Sequence, residues 1–198
     1  MTARLYLDGC SFTYGTGLSQ QSTLGHLFAD SGGYQVTNNS RTAKSNLAIA
    51  LDTYDNIANH DVIVIGWTFS ARTYLKYHNR DLDFLPSNWI KHSFVSPISP
   101  MDDFRGIEKS YEDYYKQLYS LFDIDHYDKV SNMLISMTYQ MALNLNKKIV
   151  FFSWEKRDVT IPLLYPHAPA QHRLTCGHLN ASGTEYLYNT LQALLGEQ

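Results

Sequence analysis

The chain has 198 residues, 44% apolar and 18% charged, with a formal net charge of −3. That length suffices for one sizeable core and the composition excludes extensive disorder. The charge balance excludes the basic footprint of a nucleic-acid binder. No apolar run approaches the roughly 20 residues that cross a bilayer, so no membrane partner is expected. The first strand starts so close to Met1 that no leader is expected either.

Arg4 to Leu7 reads as a short apolar strand running into Asp8-Gly9-Cys10-Ser11-Phe12-Thr13-Tyr14-Gly15, a polar turn bracketed by Gly9 and Gly15. A serine at the carboxyl end of a first strand lies where open α/β sheets hold their ligands. Ser11 is a nucleophile only if a base is within reach, and the alternative reading is a helix cap. Ser22 to Ala29 carries Leu24, Leu27 and Phe28 at helical spacing and stops at Asp30-Ser31-Gly32-Gly33. Tyr34 to Thr37 reads as a second strand, followed by a polar loop from Asn38 to Thr42. Leu47, Ile49, Ala50, Leu51, Tyr54 and Ile57 predict a helix to about Ala58, capped by Ser45 or Asn46.

Asp61-Val62-Ile63-Val64-Ile65-Gly66-Trp67 is the clearest strand, and its unbroken β-branched run predicts burial on both faces in a parallel sheet. From about 68 to 109 the periodicity dissolves around Pro86, Pro97 and Pro100. This predicts a long irregular insertion, either a lid or binding loop or a surface elaboration. Helical patterning returns over Ser110 to Leu121 and His126 to Leu145, the latter with Val130, Leu134, Met137, Met141 and Leu145 toward the core. Lys148 to Trp154 is the fourth strand. A proline-punctuated loop from Glu155 to Cys176 leads to a last helix, about Asn180 to Leu195, with Leu187, Leu191, Leu194 and Leu195 inward. With no repeat or linker, residues 1–198 read as one domain. The strand and helix alternation predicts a three-layer α/β/α fold with a flavodoxin-like central parallel sheet of about four to five strands.

Gly9-Cys10-Ser11-Phe12-Thr13-Tyr14-Gly15 resembles the first block of the SGNH (GDSL-type) hydrolases, with Cys10 where that family has aspartate and Ser11 at the nucleophile. The variant is similar to SGNH-like proteins of tailed phages. Cys176-Gly177-His178-Leu179-Asn180-Ala181-Ser182-Gly183 resembles the family's last block, placing the base at His178 and matching Asn180 and Gly183. The likeness spans the chain outside residues 70 to 110. It departs in three places: the family aspartate falls on Thr175, the oxyanion asparagine near Thr68, and the second-block glycine at Ala43-Lys44.

The resemblance implies a serine esterase or acyl hydrolase acting on a small-molecule or carbohydrate ester, with an acyl or O-acetyl group as the natural candidate. Ser11 is then the nucleophile and His178 the base. The amides of Ser11 and the Lys44 region, with the side chains of Thr68 and Asn46, form the oxyanion site. A backbone carbonyl, Glu155 or Asp158 orients His178. Trp67, Trp154 and Arg72 are candidate substrate contacts, with core packing the alternative for the tryptophans and a structural role for the arginine. The rival is a non-catalytic SGNH-like structural or binding protein of a phage virion, with protein partners. No metal or organic cofactor is expected: His26, His60, His78, His92, His126, His167 and His172 lack ligand spacing and no phosphate-cradling loop occurs. Cys10 and Cys176, too few for a disulfide framework, are expected as reduced thiols in a cytoplasmic or virion setting.

Overall fold

A computed structural model describes residues 2–31, 33–70, 73–77, 80–84, 124–166 and 169–197, with 73–77 and 80–84 described through their backbone. Its centre is a four-stranded, all-parallel sheet of β1 (Arg4–Gly9), β2 (Gln35–Asn38), β3 (Val62–Trp67) and a strand Lys148–Ser153 that becomes β6 in chain order. The strand order is β2-β1-β3-β6, the flavodoxin-like arrangement expected.

The alternation of side chains along each strand divides the core into two layers. Leu5, Leu7, Val62, Val64, Val150 and Phe152 face one way. They pack under α2 (Leu24–Asp30) and the C-terminal helix α5 (Ala181–Gly196), through Leu24, Phe28, Leu187, Leu191 and Leu195. Tyr6, Ile63, Ile65, Trp67, Ile149 and Phe151 face the other way. They meet α3 (Asn46–Asn56) and α4 (Ile124–Asn144) through Ile49, Ala50, Ile135 and Ala142. Each fully buried aliphatic side chain contributes about 1.5–3 kcal/mol. β1, β3 and β6 carry such residues on both faces, which holds the sheet between the helical layers.

The helix starts follow their caps. Thr23 accepts from the His26 amide, Ser45 from the Ala48 amide and Asn180 from the Gly183 amide. Three expectations need correction. Within the stretch read as irregular, β4 (Thr73–Tyr77) and β5 (Arg80–Phe84) form an antiparallel hairpin with Leu75 opposite Leu82; the period-two alternation of the second arm, Asp81-Leu82-Asp83-Phe84, was the unread signal. On α4 the buried stripe is Ser131, Ile135, Thr138 and Ala142, whereas Met137 and Leu145 are exposed. Leu134 and Met141 pack at the flank of this stripe, so the expected face is offset rather than reversed, and small residues at its centre let the helix approach the sheet. On α3, Leu47, Leu51 and Tyr54 likewise face outward and Ile49, Ala50 and Thr53 inward. The helix expected over Ser110 to Leu121 lies outside the described residues.

Candidate active site

β1 ends in a turn that becomes α1 (Ser11–Tyr14), closed by Gly15 in the left-handed conformation. Cys10 occupies the cap position, so Ser11 is the first helical residue and its hydroxyl caps nothing. That overturns the capping alternative. Gly9 is dictated by space: a Cβ there would stand 2.6 Å from the Thr13 Cβ and 2.8 Å from the Gly66 carbonyl oxygen. The nucleophile turn is thus pressed onto the neighbouring strand β3.

His178 precedes α5 and meets this turn from the far end of the sequence. Its Nε2 lies 2.9 Å from the Ser11 Oγ, and both side chains are buried. The imidazole stacks on Phe12 with ring centroids 4.3 Å apart, and Phe12 stacks in turn on Trp154 at 4.8 Å. On the opposite edge of the imidazole, Nδ1 lies 3.3 Å from the Cys176 Sγ. The remaining residues of the last block are architectural. The Asn180 Oδ1 accepts from the Gly183 amide at 3.0 Å. A Cβ at Gly183 would collide with the His172 carbonyl.

Ser11 and Thr68 follow β1 and β3, whose neighbours β2 and β6 lie on opposite sides; the crevice at their carboxyl ends is the topological switch point of this sheet. No family model matches the chain, and no curated protein matches it. Solved structures do. TesA aligns over 97% of both chains at 13% identity, with a TM-score of 0.52. A putative acylhydrolase from Bacteroides fragilis aligns over 98% of this chain and 87% of its own at 10% identity, TM-score 0.53. The esterase EstA from Pseudoalteromonas aligns over 98% and 97% at 9% identity, TM-score 0.52. The chain has an SGNH-type hydrolase fold.

In this SGNH-type fold the expected oxyanion residues divide. Ala43, at the position of the second-block glycine, has φ +63°, the left-handed backbone that glycine normally supplies. Lys44 has a side-chain role that its sequence context did not suggest. It is fully buried, its Nζ 2.6 and 2.7 Å from the two Asp8 carboxylate oxygens and 2.5 Å from Asp52. The Tyr6 hydroxyl and the Gly9 amide also donate to Asp8, and the Asn39 side chain donates to the Tyr6 hydroxyl. Burial pushes the Asp8 carboxyl up to about 6, against the pull of the Lys44 ammonium. Burial also raises the Tyr6 phenol and lowers the Arg157 guanidinium.

Asn46 is corrected from oxyanion donor to clamp. Its amide group donates to the Thr68 carbonyl and the Ser131 hydroxyl, both at 3.1 Å, and its oxygen accepts from the Thr68 amide at 2.9 Å. The Thr68 carbonyl also accepts from Arg157. Held this way, Thr68 keeps its hydroxyl buried and without a partner among the described residues. Glu155, one proposed orienter of His178, has its Oε2 2.8 Å from Arg157 and accepts from the Ser70 amide at 3.0 Å. Asp158, the other, is exposed and lines a groove of about 570 Å³ with Asp125, Asp128, Lys129, Asn132, Lys156 and Arg157. Thr175 is exposed as well.

Trp67 is corrected from substrate contact to core residue: it is fully buried, edge-on to Phe151. Trp154 is half-buried beside Phe12, and Arg72 lies outside the described residues. Sequence reading missed Phe12, Asp8, Arg157 and the contact of Cys176. Phe12 and Cys176 were within two residues of the singled-out Ser11 and His178, while nothing in the sequence pairs Asp8 with Lys44. Both cysteines are free thiols. No helix among the described residues is long and apolar enough to cross a membrane.

Proposed function

We propose that this protein is a serine esterase or acyl hydrolase with Ser11 as nucleophile and His178 as general base. The observation that carries this is the 2.9 Å approach of Ser11 Oγ and His178 Nε2, made by residues 167 positions apart. In the reaction Ser11 Oγ attacks the ester carbonyl carbon while its proton passes to His178 Nε2. The tetrahedral oxyanion is stabilised by the Ser11 amide at the start of α1, the backbone amides of the Lys44 region and the Thr68 hydroxyl. Collapse breaks the ester C–O bond, and the leaving alkoxide takes the proton from His178. Water then releases the acyl group from Ser11 by the same steps. Acyl or O-acetyl esters of carbohydrate suit the site, because the half-buried Trp154, stacked on Phe12 next to the imidazole, supplies an aromatic ring at its edge.

A fluorophosphonate probe read by intact mass tests this. A single adduct on the wild type, absent from Ser11→Ala, is expected, together with turnover of p-nitrophenyl acetate. Thr68→Val keeps the shape and removes the hydroxyl, so kcat falls by about 10²-fold with KM little changed. An unchanged kcat assigns the oxyanion to backbone amides alone.

A second reading is favoured by Thr175 and Thr68 standing where the resemblance puts a carboxylate and an amide. It is a non-catalytic binding or structural protein, such as a phage virion component with protein partners. Wild-type protein that neither takes up the probe nor turns over the ester sinks the enzyme reading in its favour.

A further inference from the structure

We propose that Cys176 is the positioning residue of the Ser11–His178 pair: its sulfur fixes the imidazole tautomer that leaves Nε2 free to accept the Ser11 proton. This rests on the esterase reading for its catalytic consequence but not for its structural one. A neutral imidazole carries one N–H and one lone pair, and the partner of one nitrogen decides the state of the other. Among the described residues each ring nitrogen of His178 has a side-chain partner. Sγ faces Nδ1 at 3.3 Å and the Ser11 Oγ faces Nε2 at 2.9 Å.

Two proton arrangements satisfy these contacts. In the first, Nδ1–H donates to sulfur and the Ser11 hydroxyl donates to Nε2, which is poised to take its proton. In the second, S–H donates to Nδ1 and Nε2–H donates to Ser11, leaving no lone pair toward the nucleophile. Of the two available donors the Ser11 O–H is the stronger and the S–H the weaker, which pairs the imidazole lone pair with Ser11 and leaves the sulfur to accept from Nδ1–H. When His178 takes the Ser11 proton, the imidazolium Nδ1–H points at that sulfur, as it points at the carboxylate of a serine-protease triad. The residue aligned with the family aspartate, Thr175, is exposed, while its neighbour makes the contact.

The local backbone delivers Cys176 to this place. Gly177, at φ +84°, reverses the chain between Cys176 and His178 so that side chains two apart meet. The reversal is closed by the Gly177 amide on the Leu174 carbonyl at 2.9 Å and the Leu174 amide on the His178 carbonyl at 2.7 Å. Arg173 donates to the Gly177 carbonyl at 2.9 Å. Phe12 already sets the plane of the imidazole by stacking. What remains for Cys176 to determine is which nitrogen holds the proton.

The test reads that proton directly. ¹⁵N-resolved NMR of His178 in the wild type is expected to show a protonated Nδ1 and a lone pair on Nε2. In Cys176→Ala the signal shifts toward the Nε2–H tautomer, and in Cys176→Asp it returns to Nδ1–H. On p-nitrophenyl acetate, Cys176→Ala lowers kcat by at least about tenfold, short of the ~10⁴-fold that a wrong tautomer costs a serine protease, with KM unchanged. Cys176→Asp restores kcat to the wild-type level or above. The side chain is exposed, so both variants should fold. An Nε2–H tautomer in the wild type, or an unaltered tautomer and kcat in Cys176→Ala, overturns the proposal. If the tautomer moves as expected while the wild type neither turns over ester nor takes up fluorophosphonate, the positioning role stands and the esterase reading falls.

Discussion

The two halves of the Ser11–His178 pair are anchored in different ways. Ser11 stands on a turn welded to the sheet. Gly9 and Gly66 admit Thr13 between them, and the buried Lys44–Asp8 pair fixes the residue just before Gly9. His178 stands on a short loop whose Thr175 and Cys176 are exposed, and which is held by its own backbone bonds and one bridge between Arg173 and Leu179. The nucleophile therefore inherits the rigidity of the core, while the base depends on interactions worth about 1 kcal/mol each. In a site split this way, substitutions on the Ser11 side should act through global stability. Those on the His178 side should act through local geometry.

Gly66→Ala tests the first half most severely. The added Cβ would stand 2.6 Å from the Phe152 ring and would collide with Thr13, and both neighbours are fully buried and unable to withdraw. Overpacking costs typically 1–3 kcal/mol, and here two rigid neighbours are struck at once, so about 4 kcal/mol or more is expected in urea unfolding. A loss under about 1 kcal/mol would show that the nucleophile turn slides freely on β3.

The ion pair below Ser11 comes next. Lys44→Met leaves the Asp8 carboxylate buried without its cation and should cost about 3–5 kcal/mol at pH 7. Adding Asp8→Asn to that variant should recover most of the loss. The wild type carries a related pH signature. Because the folded Asp8 carboxyl is pushed up to about 6 from the ordinary 3.8, the folded chain holds a proton that the unfolded chain has already released in that interval. Asp8 therefore makes the protein lose stability as pH rises from about 4 to about 6, by about 3 kcal/mol, and contributes no further change above. Urea unfolding of wild type and Asp8→Asn across that range isolates the term, since the fall should be absent from the variant. An equal pH slope in both proteins removes Asp8 as its source.

What was legible in the sequence follows the same division. The sheet was legible because a strand buried on both faces has to be written as an unbroken apolar run, as Val62 to Ile65 is. The meeting of Ser11 and His178 was anticipated only through resemblance, since no periodicity links positions so far apart. Lys44 looked like any surface lysine in a polar loop, and its burial depends on a partner, Asp8, on a different element. Trp67 was legible in principle. It shares strand parity with Ile63 and Ile65, which places it under α3 and α4 rather than at the site edge. Cys176 was not legible: alignment with the family aspartate points to Thr175, and the reversal at Gly177 is what presents its neighbour.

The smallest expected effect is the most discriminating for the His178 side. At Gly177 a Cβ meets no atom of the described residues within 4 Å, so Gly177→Ala creates no clash with them of the kind expected at Gly66. The only penalty is the left-handed backbone, φ +84°, which costs a side-chain-bearing residue about 1–2 kcal/mol. Two ways of relieving that strain lead to different readouts. If the loop keeps its shape, urea unfolding falls by the full 1–2 kcal/mol and fluorophosphonate labelling of Ser11 proceeds as before. If the loop relaxes, unfolding changes by less, but Cys176 and His178 lose their shared geometry and labelling slows. The bonds that close this loop, Gly177 to Leu174 and Arg173 to Gly177, are about as strong as the strain, and of its residues only His178 and Leu179 are buried. Relaxation is therefore expected, with slower labelling and a stability loss under about 1 kcal/mol. A loss as large as that of Gly66→Ala would place the histidine loop in the same cooperative unit as the sheet and remove the contrast between the two halves.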